Sequence, residues 1–236
     1  MNFENLPDYQ LADFLRTLNI ETLVNTCSTN WKIHDICLQN NDLRERIRGY
    51  LILGRDVNQM TKEDKNNAMY TALSESNYEQ FRYLLHNNRR LFVLNDLLTH
   101  AIIFRSNYNI IKYILDKNLR YISPDTLFAA IDYSGMDVIS LLLDKGINPN
   151  VRSPNSSEET PLKHAILRGR PDVVRLLLER GANPMINFWI IIDSLVRAQN
   201  MEIVDIYLRY IPENQREQIR DTIMSRYNEF GRIIEL

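Results

Sequence analysis

Five segments of the chain share one pattern of apolar and polar positions. In each segment, apolar residues recur at the i, i+3 and i+4 spacing that places them on one face of an α-helix. The segments are QFRYLL (80–85), IIKYIL (110–115), VISLLL (138–143), VVRLLL (173–178) and IVDIYL (203–208). One helical pattern repeated in the same register predicts a repeat architecture, in which each copy buries its apolar face against its neighbours.

A second helix is predicted to precede each of these segments. Eight positions before the first residue of a segment lies a small or apolar residue that would let two paired helices approach closely. These residues are Ala72, Ala130, Ala165 and Leu195, and Ala101 fits if one residue is inserted in its turn. The pattern therefore predicts a pair of helices in every copy.

The fourth copy opens with the sequence TPLKHA, residues 160–165. Thr160, Pro161, Leu162 and Ala165 occupy the places that they have in an ankyrin repeat, and the chain resembles that family over residues 60–211. Lys163 occupies the family's histidine position and His164 follows it, so we expect the hydrogen bonds of this turn to be rearranged or weaker. The resemblance implies an all-α solenoid of about five degenerate repeats.

The residues on either side of the array are predicted to be helical as well. Residues 212–236 contain an amphipathic helix, with Ile219 and Ile223 on one face, that we interpret as a C-terminal cap. The first fifty residues do not follow the repeat pattern and are predicted to form a small bundle of three short helices. The predicted divisions are a bundle (1–50), a linker (51–66), the repeats (67–211) and the cap (212–236).

The N-terminal bundle resembles an F-box over residues 5–48, on the strength of its Leu-Pro start, its spaced leucines, and Cys27 and Trp31. This resemblance implies that the segment binds a Skp-family linker protein and thereby a cullin ubiquitin ligase. The residues implied in that contact are Leu6, Pro7, Leu11, Phe14, Leu15, Leu18 and Leu23. The alternative is a helical cap of the repeat array. An F-box followed by degenerate ankyrin repeats is similar to proteins of giant viruses and of some intracellular bacteria.

The sequence lacks the features typical of a nucleic-acid binder, a membrane protein or an enzyme. The 28 basic and 30 acidic residues give a net charge of −2, which argues against a nucleic-acid binder. No apolar run is long enough for a membrane span, and the start of the chain lacks the features of a secretion signal. The sequence has no Gly-rich phosphate loop, no GxSxG and no HExxH motif, and its two cysteines have no companion pair at metal spacing. We expect no membrane association, no catalytic residue, no metal and no cofactor.

The two cysteines and four histidines are expected to be structural. Cys27 and Cys37 are predicted to be buried thiols in a reducing compartment, because two cysteines do not make a disulfide framework. His100 and His164 fall two repeats apart, too far to share a metal. We expect a cytoplasmic protein, in the host cytoplasm or nucleus if it is viral or bacterial, that is monomeric on its own.

The ankyrin resemblance implies a concave surface near the ends of the first helices of the pairs. The residues implied there are Glu75, Arg105, Asp132, Tyr133, Leu167, Arg168 and Arg197. The long connection 144–160 adds Arg152, Asn155 and Glu158, unless it is only a tolerated surface insertion. Trp189 is predicted to pack in the core.

The predicted function is that of an adaptor without enzymatic activity. Its repeats would bind a target protein while the F-box-like segment recruits the ligase, so that ubiquitin transfer is accelerated by proximity. The alternative is a plain ankyrin scaffold or inhibitor with no connection to ubiquitin.

Overall fold

A computed structural model describes residues 7–29, 31–117 and 121–234. These residues form fifteen α-helices and two short 3-10 helices, and none of them lies in a β-strand. The helices are α1 (Asp8–Thr17), α2 (Ile20–Thr29), α3 (Trp31–Gln39), α4 (Asn41–Leu53), α5 (Lys62–Ser74), α6 (Tyr78–Asn87), α7 (Leu94–Ile103), α8 (Tyr108–Leu115), α9 (Pro124–Tyr133), α10 (Met136–Asp144), α11 (Pro161–Leu167), α12 (Pro171–Glu179), α13 (Phe188–Ala198), α14 (Met201–Arg209) and α15 (Glu213–Ile234). The all-α prediction is confirmed.

The chain divides into two compact units, Met1–Phe92 and Val93–Leu236. The first helix pair, α5 and α6, belongs to the N-terminal unit, and the other four pairs belong to the C-terminal unit. Of the helices that the structure describes, none is both long and apolar enough to cross a membrane.

The N-terminal unit begins with four packed helices, not the predicted three. Helix α4 runs through residue 50, the predicted end of the bundle, and contacts both α2 and α3. It contributes Leu43, which is fully buried, while Ile47 and Tyr50 pack against the same core. The fourth helix is needed because the three preceding helices are too short to enclose a core by themselves.

The prediction of free cysteine thiols is wrong. Cys27 of α2 and Cys37 of α3 form a disulfide in the structure. Both side chains are buried, as expected, but their helices pack against each other and bring the two sulfurs together. The cysteines therefore no longer support the expectation of a reducing compartment.

Helix α4 also packs against α6 of the first helix pair. The hydroxyl of Tyr83 donates a hydrogen bond of 2.9 Å to the backbone carbonyl of Glu45. Burial raises the pKa of Tyr83 to about 12. A Cβ atom at Gly49 would lie 2.3 Å from the Tyr83 hydroxyl, so only glycine allows this close approach of the two helices.

A buried ion pair fastens the end of α4 to the segment that follows it. The guanidinium of Arg46 contacts the Asp56 carboxylate, with Nη2 at 2.5 Å and Nε at 2.9 Å from the same oxygen. Burial acts to raise the pKa of Asp56, but the hydrogen bonds that this carboxylate accepts from Arg46 and from the Asn58 backbone lower it overall. The pair holds the chain where it turns toward α5.

The C-terminal unit arranges its four helix pairs in two rows. The first helices α7, α9, α11 and α13 pack side by side, and so do the second helices α8, α10, α12 and α14. The apolar residues that recur in the repeated segments form the core. The residues that precede these segments in the first helices, here Ala101, Ala130, Ala165 and Leu195, have no accessible surface. The helix register predicted from the sequence is thus the register of the structure.

Helix α15 covers the last pair by packing on both α13 and α14. Its residues Ile219 and Ile223 are buried, as the apolar pattern predicts. Arg220 pairs with Asp205 of α14, and Arg226 pairs with Asp193 of α13. The C-terminal segment therefore has the contacts expected of a cap.

Candidate functional site

The C-terminal unit exposes large apolar side chains at the ends of three adjacent first helices. Ile103, Phe104, Tyr133 and Leu167 are 40%, 41%, 44% and 44% exposed. Ile103 and Leu167 lie two positions, and Phe104 and Tyr133 three positions, after the buried alanines of α7, α9 and α11, so all four lie near the ends of neighbouring helices. We call these four residues the apolar stripe.

Charged residues flank the apolar stripe. Asp132 of α9 accepts hydrogen bonds from Arg168, which follows α11, and the shortest contact is 2.6 Å, from Nε. Arg197 is exposed near the end of α13. The surface thus combines an apolar centre with charges of both signs, a composition typical of protein interfaces.

His164 joins two neighbouring repeats directly beneath this surface. Its Nε2 atom lies 2.8 Å from a carboxylate oxygen of Asp132, and its Nδ1 atom lies 3.0 Å from Glu159. Phe128 of α9 meets the imidazole edge to face. The predicted rearrangement of this turn is therefore a network between the third and fourth helix pairs.

The start of α11 supplies the other part of the network. Thr160 accepts a hydrogen bond from the backbone N–H of Lys163, and the Lys163 ammonium lies 3.0 Å from Glu159. Burial acts to raise the pKa of Glu159, but hydrogen bonds and positive charge from Lys163 and His164 lower it overall. These contacts fix the helix ends that carry Tyr133 and Leu167.

Arg105 is exposed, as predicted for a contact residue, but its backbone is unusual. Its φ angle is +55°, in the left-handed region, at the turn between α7 and α8. Ser76, Gly169 and Gln199 have the same conformation at the same place in their own helix pairs. Arg105 therefore has a place in the turn that is independent of any partner.

The long connection between α10 and α11 presents Arg152, Asn155 and Glu158 to solvent. Its far end is held by Asn187, whose side-chain amide donates a hydrogen bond of 3.3 Å to the Glu158 carbonyl. Near its start, Asn150 donates to the carbonyl of Gly181 and accepts from the N–H of Asn183. The connection is therefore a fixed surface feature beside the fourth and fifth pairs.

The predicted target-binding residues do not all lie in one unit. Glu75 is exposed at the end of α5, which belongs to the N-terminal unit. The remaining nine residues belong to the C-terminal unit, where Asp132 and Arg168 are in direct contact.

For three residues of the predicted F-box contact set, burial shows that the predicted contact is wrong. Leu11, Leu15 and Leu23 have no accessible surface and form the core of the N-terminal bundle. A side chain without accessible surface does not touch a partner, so these leucines stabilise the bundle instead. Phe14 and Leu18 are half-buried, Pro7 is exposed, and Leu6 lies outside the described residues.

The structure also exposes apolar residues that were not predicted as contacts. Trp189 is 60% exposed, so the prediction that it packs in the core is wrong. Ile103 belongs to the apolar stripe but was not predicted. The inserted residue in the second pair shifts its alignment with the other pairs by one position, so the exposed positions of this pair were assigned to its neighbours. In the N-terminal unit, a groove with an apolar lining contains Val24, Leu38, Ile47 and Leu51.

Part of the C-terminal unit matches a known protein family. Residues 118–187, which include α9 to α12, match the family model described as ankyrin repeats (3 copies). This segment consists of ankyrin repeats. Because ankyrin repeats stack to create extended binding surfaces, they indicate that this chain binds a partner protein. The matched segment includes Tyr133 and Leu167 of the apolar stripe.

The match does not reach the N-terminal unit, so the F-box resemblance of residues 5–48 stays a prediction. No curated protein matches the chain.

Proposed function

We propose that this chain is an adaptor without enzymatic activity, and that it binds a target protein along the apolar stripe. The observation that carries this proposal is the exposure of four large apolar side chains on three adjacent helices. Exposed apolar clusters of this kind mark interaction sites, because water contact with them is unfavourable until a partner covers them. The His164 network supports the same proposal, since rigid helix ends lower the entropy lost on binding.

The target is expected to present an apolar centre surrounded by mixed charges. Tyr133 and Leu167 would be its anchors, since aromatic and large aliphatic side chains at the centre of an interface contribute most to affinity. The flanking contacts would come from Arg105, Asp132, Arg168 and Arg197, and from Arg152, Asn155 and Glu158 on the long connection. Glu75 lies in the N-terminal unit, so its predicted contact with a target is a separate one.

Partner capture with a double variant tests this assignment. Proteins retained by the wild-type chain are compared by mass spectrometry with those retained by Tyr133→Asp/Leu167→Asp. The matched control is Tyr121→Asp/Met201→Asp, which changes two exposed residues of the same unit outside the stripe. We expect the stripe variant to lose the partners that the control keeps. If both variants retain the same proteins, the target lies on another surface.

We also propose that the N-terminal unit binds a Skp-family linker and so recruits a cullin ubiquitin ligase. The F-box resemblance over residues 5–48 supports it, and so does the apolar groove, since Leu38 and Leu51 are exposed there. With Leu11, Leu15 and Leu23 in the core, the contact would use this groove together with Pro7. Such a role belongs to the cytoplasm or nucleus of a eukaryotic cell.

The second candidate is a plain ankyrin scaffold whose N-terminal bundle caps the first helix pair. The contact of α4 with α6 through Gly49 and Tyr83 favours it, because a capping bundle requires that kind of packing. Co-purification with a Skp-family protein separates the two candidates. Binding by the wild type that is lost in Leu38→Glu/Leu51→Glu, but kept in the exposed-site control Tyr9→Glu, supports the ligase role. A wild-type chain that does not bind the linker is a scaffold only.

A further inference from the structure

Trp189 lies beside a small cavity between the start of α13 and helix α15. The cavity has a volume of about 200 Å³, below the range of pockets for drug-sized ligands, and it suits one or two side chains. Its lining includes Met185, Phe188, Trp189, Gln215, Gln218 and Thr222. This site is separate from the apolar stripe, because Trp189 begins the helix whose far end carries Arg197, about 12 Å along the axis.

The exposed indole is held in one orientation. The guanidinium of Arg226 lies over the Trp189 ring at 5.6 Å from its centroid. Asp193 fixes that guanidinium through an ion pair across the contact of α13 with α15. Phe188 meets the indole at 5.2 Å with an angle of 70° between the rings. An aromatic side chain that is fixed before binding loses little entropy when a partner covers it, which is typical of an interface anchor.

The polar part of the lining is neutral. Among the described residues, those that line the cavity carry no charge, and Arg226 at its edge is already paired with Asp193. The hydrogen-bonding groups of the lining are the amides of Gln215 and Gln218, the hydroxyl of Thr222 and the indole N–H of Trp189. The Thr222 hydroxyl already donates to the Gln218 carbonyl, so the other donors among the lining residues are the two amides and the indole N–H of Trp189. A charged ligand group would lose its hydration here without gaining an opposite charge, so the lining favours an uncharged ligand.

The dimensions and chemistry fit a proline-rich peptide. Residues Gln215, Gln218 and Thr222 follow one face of α15 over about 10 Å, and one three-residue turn of a polyproline II helix is about 9 Å long. Proline has no backbone N–H, so such a peptide offers only carbonyl acceptors, which amide donors satisfy. Proline rings pack on aromatic surfaces such as the angled pair formed by Phe188 and Trp189.

We propose that the cavity of Trp189, Phe188 and Gln218 binds an uncharged, proline-rich segment of a partner protein in the polyproline II conformation. This interaction is independent of the target bound by the apolar stripe.

Titration of the full chain with an uncharged peptide of nine prolines, blocked at both ends, tests the proposal. Calorimetry gives the affinity, and a blocked Gly-Ser peptide of equal length is the control ligand. We expect saturable binding of the proline peptide, weakened about tenfold or more in Trp189→Ala. Gln218→Glu is expected to weaken it similarly by placing a charge in the neutral lining, while Trp189→Phe should fall between Trp189→Ala and wild type.

Two matched variants complete the experiment. Tyr210→Ala removes an exposed aromatic ring of the fifth helix pair, to which Trp189 also belongs. Glu217→Gln is the reverse of the Gln218→Glu change and lies at an exposed position outside the cavity. Both should bind like wild type, as should Tyr133→Ala/Leu167→Ala. Circular dichroism verifies that each variant is folded.

The proposal is overturned if the wild type does not bind the proline peptide, or binds the Gly-Ser peptide equally well. It is also overturned if Trp189→Ala binds like wild type. Sedimentation supplies a further contrary outcome: a wild-type dimer that becomes a monomer in Trp189→Ala would assign the cavity to a second copy of the chain.

Discussion

Arg105 shows how one residue can serve the turn of a repeat and its surface at once. Its positive φ is a conformation that costs a non-glycine residue about 1 kcal/mol. The corresponding residue of the fourth pair is Gly169, which adopts it without that cost. Ser76 and Gln199 bear the same cost at the same place in their pairs, so the conformation belongs to the turn, and the predicted role of the Arg105 side chain in target binding is separate from it.

Replacing Arg105 with glycine is therefore expected to stabilise the fold while weakening target capture. The free energy of unfolding should rise by up to about 1 kcal/mol, and Gly169→Ala should lower it by about the same amount or more. Urea denaturation measures both effects. A loss of stability in Arg105→Gly would show that the arginine side chain contributes more to the fold than its backbone costs.

Glu159 makes stability depend on pH in a definite direction. Its pKa in the folded chain is below the ordinary value of 4.5. The carboxylate therefore stabilises the fold fully above the unfolded pKa, and this contribution is lost as the pH falls through the folded pKa. Denaturation between pH 3 and pH 7 should show a smaller acid loss in Glu159→Gln than in wild type. Glu158→Gln, one residue earlier and exposed, is the control and should follow the wild-type curve.

At the scale of elements, the contact of α4 with α6 depends on the absence of a side chain at one position. Gly49→Ala would place a Cβ atom 2.3 Å from the Tyr83 hydroxyl, and the buried tyrosine has to move or lose its bond to the Glu45 carbonyl. We expect a loss of about 1–3 kcal/mol in the free energy of unfolding, as for other overpacked sites.

A double-mutant cycle checks the cause of that loss. Tyr83→Leu shortens the side chain at the clash, so Gly49→Ala should cost less in the Tyr83→Leu background. Equal costs in the two backgrounds would contradict the steric explanation, and helix propensity does not replace it, because alanine is favoured over glycine within a helix.

The disulfide between α2 and α3 closes a short segment of the chain, since Cys27 and Cys37 are 10 residues apart. Loop-closure entropy predicts a stabilisation of about 3 kcal/mol for a segment of this length. Thermal unfolding should therefore occur at a lower temperature in a reducing agent, and Cys27→Ser/Cys37→Ser should be insensitive to that agent. Free thiols detected by alkylation of the unfolded, unreduced protein would contradict the bond.

Sequence patterns predicted the elements that bury one face and missed those whose role depends on a distant neighbour. The positions of Phe81 and Leu84 are apolar in all five copies of the segment, and the structure buries them in the second helices. Helix α4 was missed because Leu43, Ile47 and Tyr50 have partners only once α2 and α3 are in place. The apolar character of Trp189 predicted burial, whereas its exposure depends on where Arg226 of α15 lies.

At the scale of the whole molecule, the chain divides within the predicted array, between Phe92 and Val93. The repeat pattern does not change there, so periodicity alone does not reveal the division. It follows instead from the packing of α6 on α4, which groups the first helix pair with the N-terminal bundle. The residues of the concave surface were predicted from the repeat pattern, because the position of a residue in the repeat determines whether it projects. The partner could not be predicted, because the repeat pattern does not encode which protein the surface binds.

The C-terminal unit is expected to fold without the N-terminal one. A chain of residues 93–236 retains four stacked pairs, the cap α15 and the whole apolar stripe. Repeat proteins are stabilised by contacts between neighbouring pairs, so this unit keeps most of what it needs. Circular dichroism and urea denaturation should show a helical chain with a cooperative transition. A chain that is unfolded in buffer would show that the first pair is required.

The cap formed by α15 has a consequence for how such an array changes in evolution. A helix pair added by tandem duplication needs an apolar neighbour on each side, and beyond α14 that neighbour is already α15. New copies are therefore expected to arise between existing pairs, where both of their faces are covered at once. The connection 144–160, which is the longest between two pairs of this unit, is a place where added length would leave the stack undisturbed.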